Sequence, residues 1–362
     1  MKEKKLKRKL SELENIARLS EDFYKYPQLM YLFVELTDRC NLSCLHCGSR
    51  CGSAGGRNID TELLLRSLRE LAEDTDPHEI MLCITGGEPM LHPDFMRILK
   101  EGADIGYPTG ITTNGSLITE RAAEEMAKAG LRSISLSLDG LEATHNAFRR
   151  AKGNSFRDTL TALGRLRAVG IEPQITTVAH RASLPELEDI YRLMLELGVY
   201  SWRVINVDPI GRANENPNIM LTPDELISLV DYIAEKRREA KGIMDVRYGC
   251  SHYLGVEREM TVREHYFLCA AGTRVMGITA SGDIVTCLDI ERRPELTYGN
   301  IARDRLYRVW QEGFGFFRRD RTADSQVCRD CPDRRFCRGD SAHTWDYDRS
   351  EPLLCIRKCK KG

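Results

Sequence analysis

Six apolar runs, each followed by a helical pattern, constrain this chain more than any other feature. The runs fall at 31–36, 80–85, 109–113, 133–138, 174–178 and 202–206. Helical periodicity fills the gaps near 60–74, 93–104, 119–129, 155–169 and 185–197, and continues near 222–240. Asp60, Thr119 and Thr222 stand where helices begin, the last followed by Pro223 at the first helical position. Gly130, Gly170 and Gly198 stand where helices stop. Such a series predicts an α/β fold on a parallel sheet, each helix being the crossover to the next strand. The sheet is either open and doubly wound or curled into a partial barrel. In both cases ligands gather at the carboxyl ends of the strands. Cys40, Gly86, Gly87, Glu88, Asn114 and Asp139 all lie just past a strand.

The pattern changes at both ends. Residues 2–25 read as an amphipathic helix, with Leu6, Leu10, Leu13, Ile16 and Leu19 at three- or four-residue steps. Its Lys/Arg run reads as a solvated face, with the grip on an acidic leader peptide as the alternative. Beyond about residue 245, strand-like 274–279 and 284–287 flank the turn Ser281-Gly282-Asp283, and a helix follows near 304–313. The remainder is rich in Cys, Arg and Asp and poor in large apolar residues, so it needs a metal to fold. This divides the chain into 1–28, 29–245 and 246–362.

With 42% hydrophobic and 30% charged residues, the 362-residue chain can bury a sizeable core. No apolar run approaches the roughly 20 residues of a membrane span, and the basic N-terminus lacks a signal peptide's apolar stretch. A cytoplasmic protein with no membrane partner is expected. The balance of 53 basic against 54 acidic residues argues against nucleic-acid binding. The 13 cysteines are odd in number and lie in two groups, which points to metal or redox sites rather than a disulfide frame.

The first group is Cys40-Asn-Leu-Ser-Cys44-Leu-His-Cys47, a C-x3-C-x2-C loop directly after a strand. Three thiolates so spaced can hold three irons of a four-iron cubane and leave the fourth open. Alternatively, His46 or Cys51 completes a zinc site. Cys83, inside Ile-Met-Leu-Cys-Ile, reads as a buried core residue. The cysteine loop followed by Thr85-Gly86-Gly87-Glu88-Pro89 at the second strand resembles the radical S-adenosylmethionine (AdoMet) enzymes. The resemblance implies a partial (β/α)6 TIM-like barrel holding a [4Fe-4S] cluster on Cys40, Cys44 and Cys47, with AdoMet on the open iron. It assigns Gly86, Gly87 and Glu88 to the segment near the methionine amine. Ser137 and Asp139 match polar residues near the ribose and methionyl group, and Arg149 matches an arginine that pairs with the methionine carboxylate.

The second group, Cys269-x12-Gly282-x4-Cys287, Cys328-x2-Cys331-x5-Cys337 and Cys355, resembles the SPASM extension of peptide-modifying radical enzymes. That implies a small cysteine-rich iron–sulfur C-terminal domain with two auxiliary [4Fe-4S] clusters. One departure stands out, because Ser341 occupies the position of the next family cysteine. Cys328, Cys331, Cys337 and Cys355 form a full set for one cluster. Cys269 and Cys287 begin the other, with Cys250 upstream and Cys359 or Asp340 as substitutes. Asp289, two residues after Cys287, is a candidate base, and Cys250 is a candidate hydrogen donor.

The resemblance implies oxidative crosslinking of a ribosomally made precursor peptide, through a thioether or C–C bond. A reductant such as flavodoxin or ferredoxin and a separate peptide-recognition protein are the implied partners. Peptide epimerisation, peptide excision, sulfatase maturation, tetrapyrrole modification and a non-catalytic iron–sulfur or zinc protein are the alternatives.

Overall fold

The computed structural model describes residues 2–52, 56–249 and 252–356. Helix α1 (Lys2–Lys25) precedes β1 (Tyr31–Glu35). There follow α2 (Thr61–Asp74), β2 (Met81–Thr85), α3 (Phe95–Ile105), β3 (Thr109–Thr113), α4 (Glu120–Lys128) and β4 (Ser133–Ser137). Next come α5 (Glu142–Arg149), α6 (Ser155–Ala168), β5 (Gln174–Ala179), α7 (Leu187–Glu196), β6 (Ser201–Asn206) and α8 (Pro223–Glu239). All six expected strands form. The predicted caps work as well: Asp60 accepts from Leu63 N, Thr119 from Ala122 N, and Thr222 closes a capping box with Glu225. Helix α5 escapes the sequence reading because Leu141, its entry residue, offers no side-chain cap.

A seventh parallel strand, β7 (Asp245–Tyr248), pairs with β6. Its four residues alternate charged and apolar, too short a pattern to stand out, and the expected boundary at 245–246 falls at its first peptide bond. The hairpin β8 (Val275–Ile278) and β9 (Asp283–Val285) forms around Gly282 as the turn residues require. It does not stand apart from the barrel, because β8 pairs in parallel with β1. With β10 (Gly299–Asn300) at the far edge, one sheet of order β10-β9-β8-β1-β2-β3-β4-β5-β6-β7 runs through both regions. From β1 to β7 every crossover steps the same way. With right-handed connections, all the helices then lie on one face, which is the arrangement of an open barrel and not of a doubly wound sheet.

Alternation splits each strand between two environments. Leu32, Val34, Leu82, Ile84, Leu136, Trp202, Val204 and Val246 pack against the helices in one continuous core. The opposite, inner face carries Cys83, Thr85, Thr112, Ser135, Ser137 and Thr176, none of them part of that core. Cys83 is thus no core residue, since period two sets it opposite Leu82 and Ile84. It is half-buried on the inner face.

Beyond β10 lie α9 (Leu306–Glu312), α10 (Arg334–Cys337) and the small pair β11 (Trp345–Asp346) and β12 (Glu351–Pro352). Helix α1 packs on this region. Leu13 is buried with Tyr253, Tyr266 and Phe267, and Arg338 Nη2 donates to Ala17 O at 2.6 Å. The buried stripe is narrower than the leucine pattern suggested: Leu13, Ala17 and Ser20 are buried, whereas Leu6, Leu10 and Leu19 are exposed. Lys9 is spent on the carbonyls of Glu257 and Glu259. Among the described residues, no helix is long and apolar enough to cross a membrane.

Trp202 is fully buried, and its Nε1–H donates to Thr177 Oγ1 at 2.9 Å. Trp202→Ala leaves a cavity and removes one donor from the Thr177 hydroxyl, which keeps its bond to Leu138 O at 2.6 Å. It is expected to cost about 3–5 kcal/mol, read as a lowered midpoint in chemical denaturation.

Candidate active site

The chain leaves β1 extended, and that extension carries the cysteine loop. Thr37 O accepts from Gly87 N at 2.7 Å, and Arg39 O accepts from Glu88 N at 2.9 Å. These bonds clamp the approach to Cys40 onto the end of β2. The approach is too close for any side chain. A Cβ at Gly86 would lie 2.4 Å from Thr37 O, and one at Gly87 would lie 2.1 Å from Arg39 O. Gly86 also has a φ of 134°, which only glycine tolerates well.

Glu88 is fully buried directly beneath. Its Oε1 accepts from Thr113 Oγ1 at 2.7 Å and its Oε2 from Asn114 N at 2.9 Å. Burial raises its pKa against these donors. The Asn114 side chain closes a turn with Ser116, whose Oγ also donates to Asn114 Oδ1 at 2.6 Å, and reaches the cysteine loop. Its Oδ1 accepts from Ser116 N at 2.9 Å in a turn, and its Nδ2 donates to Asn41 Oδ1 at 2.8 Å inside the cysteine loop. A hydrogen-bonded chain therefore runs from Glu88 through Asn114 to the residue after Cys40.

Cys40, Cys44 and Cys51 are buried and Cys47 half-buried, all as free thiols. Burial pushes Cys40 up to about 12 and raises Cys44, while Cys47 falls to about 6 because the Cys51 thiol hydrogen-bonds to it. The surroundings suit thiolate sulfur. Leu42 N donates to Cys40 Sγ at 3.4 Å, and Arg149 Nη1 donates to Cys44 Sγ at 3.8 Å. Arg212, absent from the sequence reading, holds the loop's shape by donating to Cys44 O and Cys51 O, both at 2.8 Å. Buried thiols that ionise reluctantly in water's absence lose their protons to iron instead. The donor set fits a cluster held by Cys40, Cys44 and Cys47.

Asp139 and Arg149 come together beside this loop. Arg149 Nε donates to Asp139 Oδ2 at 2.5 Å, and Val178 N donates to Asp139 Oδ1 at 2.9 Å. Burial works to raise Asp139, but the Arg149 guanidinium outweighs it and holds the carboxyl well below the usual range. Ser137 ends β4 on the inner face, half-buried. His46 lies in an aromatic stack, its Nδ1 buried without a hydrogen-bond partner. It stacks on Phe148 at 4.5 Å, and Phe148 stacks on His180 at 3.8 Å. Burial lowers His46 to about 3, so it stays neutral. The signal for this stack was absent from any local motif, since its members lie on three separate segments.

In the C-terminal region Cys269, Cys287, Cys328, Cys331, Cys337 and Cys355 are all half-buried. Ala342 N donates to Cys269 Sγ at 3.3 Å, which sets buried Ser341 next to that sulfur. Tyr347 feels both Cys269 and Cys287, and Cys337 feels Cys355. Cys337 also lines one small cavity with Cys269, so it borders both cysteine sets. Cys250 and Cys359 lie outside the described residues. Asp340 is committed elsewhere, accepting from Tyr253 N at 2.8 Å and pairing with His252 Nδ1 at 3.0 Å. Asp289 is exposed beside Cys287, and its charge reaches His343.

Sequence reasoning missed the network that Asp340 belongs to. His252 Nε2 lies 2.9 Å from Asp208 Oδ1, and His343 Nε2 lies 2.9 Å from Asp208 Oδ2. Residues from the end of β6, from beyond β7 and from the C-terminal region thus share buried charge. Burial alone would lower His252, but Asp208 and Asp340 outweigh it and raise it to about 10 from 6.5. A raised folded-state pKa stabilises fully below the unfolded value and is lost as pH climbs through the folded one.

Two outcomes follow from this geometry. Gly87→Ala is expected to cost about 1–3 kcal/mol or more by overpacking, and to lower iron incorporation measured after anaerobic reconstitution. Melting temperature is expected to fall as pH rises from 6.5 to about 10, a slope that His252→Gln flattens in the same thermal scan.

Residues 34–194 match the model of the Radical SAM superfamily, and residues 269–332 match the SPASM iron-sulfur cluster-binding domain. An AdoMet-dependent heme synthase of Methanosarcina barkeri (strain Fusaro / DSM 804) is 29% identical over 90% of this chain and 96% of its own length. A PqqA peptide cyclase of Rhizobium meliloti (strain 1021) is 24% identical over 95% of this chain and 92% of its own. The fold is shared with Streptococcus suis SuiB bound to precursor peptide SuiA, at a TM-score of 0.72 and 18% identity, covering 98% of this chain and 79% of that one.

Proposed function

Since the chain belongs to the radical SAM enzymes that carry a SPASM domain, we propose that it oxidatively crosslinks a peptide. The domains bring a [4Fe-4S] cluster, AdoMet and auxiliary iron–sulfur clusters. Bound together, cluster and AdoMet supply a 5′-deoxyadenosyl radical that abstracts hydrogen. Cys40, Cys44 and Cys47 hold the cluster. Gly86, Gly87, Glu88, Ser137, Asp139 and Arg149 shape the AdoMet side. The Arg149 contact with Cys44 supports this, because it sets a guanidinium at the edge of the cysteine loop, suited to a carboxylate. Cys269, Cys287, Cys328, Cys331, Cys337 and Cys355, with Cys250 and Cys359, serve the auxiliary clusters, and Asp289 stands ready as a base at their mouth. A flavodoxin or ferredoxin supplies electrons, and a separate protein presents the peptide.

The hydroxyl-lined strip of β4 and β5 on the inner face carries the peptide reading. Ser135, Ser137, Thr176 and Gln174 line it, with Ser135 Oγ on Thr176 Oγ1 at 2.8 Å. A peptide backbone can pair with such hydroxyls, whereas a flat apolar macrocycle would strip them of water without replacement. The 24% identity to a peptide cyclase across nearly the whole chain agrees. A second reading, oxidation of a tetrapyrrole side chain, is favoured by three heme synthase relatives at 27–29% identity.

The test uses anaerobically reconstituted protein with dithionite and AdoMet. About twelve irons are expected for three four-iron clusters, with 5′-deoxyadenosine formed by wild type and abolished by Cys40→Ala. A precursor peptide that loses two hydrogens in mass supports crosslinking. A peptide that keeps its mass but gains solvent deuterium points to epimerisation, and a tetrapyrrole that loses carbon dioxide establishes the second reading. Full iron loading without cofactor cleavage overturns both.

A further inference from the structure

The inner face carries a pair of arginines that the cofactor site does not use. Strand register sets Ser137, Thr176, Arg203 and Arg247 side by side across β4, β5, β6 and β7. Two guanidinium groups therefore stand on neighbouring parallel strands, and like charges so placed repel. Arg203 projects into the barrel, since the Cys83 thiol on β2 feels its charge from across the sheet. Its Nε–H donates to Thr176 Oγ1 at 3.3 Å, which fixes its stem. Among the described residues it has no carboxylate partner. Arg247 pairs with Asp245, which also meets Arg237 Nη1 at 3.3 Å, while Arg237 Nη2 has its own partner in Glu264 at 2.5 Å; Arg247 Nε is buried without a hydrogen-bond partner. Arg203 is the charge its neighbours leave unneutralised, beside the hydroxyls of Ser135, Ser137 and Thr176.

Position gives this excess a purpose. The row starts at Ser137, the last residue of β4, on the AdoMet side of the site. At about 4.8 Å per strand, Arg203 stands roughly 10 Å away along the sheet, within the span of a substrate whose reacting carbon faces the cofactor. Guanidinium groups side by side suit an oxygen anion that accepts two hydrogen bonds from each. We propose that Arg203 and Arg247 form a carboxylate-binding subsite that selects the substrate of this enzyme. The inference deepens the proposed function and rests on it. A carboxylate comes either from an acidic side chain of a peptide or from the side chain of a tetrapyrrole, and the subsite's chemistry is the same for both.

Binding without turnover tests it on cluster-loaded protein with AdoMet present and no reductant. The probes are a precursor peptide with a glutamate and its glutamine counterpart, and a propionate-bearing tetrapyrrole and its methyl ester. Wild type is expected to favour one free acid over its neutral counterpart by about tenfold or more. Arg203→Gln is expected to erase that preference, and Arg203→Lys to restore part of it. Matching iron content and melting temperature show that the variants fold. A preference in the peptide pair identifies an acidic peptide, and one in the tetrapyrrole pair identifies the small molecule. Equal affinity of wild type for acid and neutral forms in both pairs, or no binding of any, overturns the subsite even if the variants fail to fold. So does an unchanged preference in folded Arg203→Gln. Cofactor cleavage is measured separately, so loss of the subsite and loss of the enzymatic reading give different results.

Discussion

The site depends on two backbone hydrogen bonds between the chain leaving β1 and the turn after β2. They fix Thr37 and Arg39 against Gly87 and Glu88 at a separation that leaves no room for a Cβ. Everything around the cysteines follows from that contact. The loop starts where the clamp ends, Glu88 is carried under it, and Asn114 ties its first turn to β3. Two glycines that a motif reading assigns to cofactor approach thus first serve the protein's own packing.

Charge is handled differently in the two halves. Beside the cysteine loop, one buried arginine faces one buried carboxylate and one sulfur, and the pair needs nothing from solvent. Near the C-terminal region, two imidazoles and two carboxylates share their protons between strand ends and the cysteine-rich segment. Buried pairs of this kind contribute little net stability but are costly to break singly. Their effect is to fix how the cysteine-rich segment sits on the barrel, which no apolar contact of comparable directionality does.

Much of this was legible along the chain. Strands announced themselves by apolar runs, and helix ends by Asp60, Thr119, Thr222 and three glycines, because those signals are local. The cysteine loop and Arg149 were legible because their spacing is local too. What escaped was set by distance. Strand β7 is a strand only because β6 offers it an edge. Arg212 matters only because its loop folds back over residues 44–51. His252, Asp208 and His343 lie up to 135 positions apart, and no window of sequence contains them. Cys83 was misread because a continuous apolar run hides the alternation that turns it inward.

Helix α1 adds a consequence for the order of events in a living cell. Its one well-buried stripe is completed by Tyr253, Tyr266 and Phe267, and its carbonyl at Ala17 is met by Arg338, 321 positions later. Helix α1 is therefore made well before the segments that seat it. Until residues 253–267 have been made, Leu13 lacks the aromatic side chains that bury it. Seating the helix is thus a late step of folding, completed when Arg338 meets the carbonyl of Ala17.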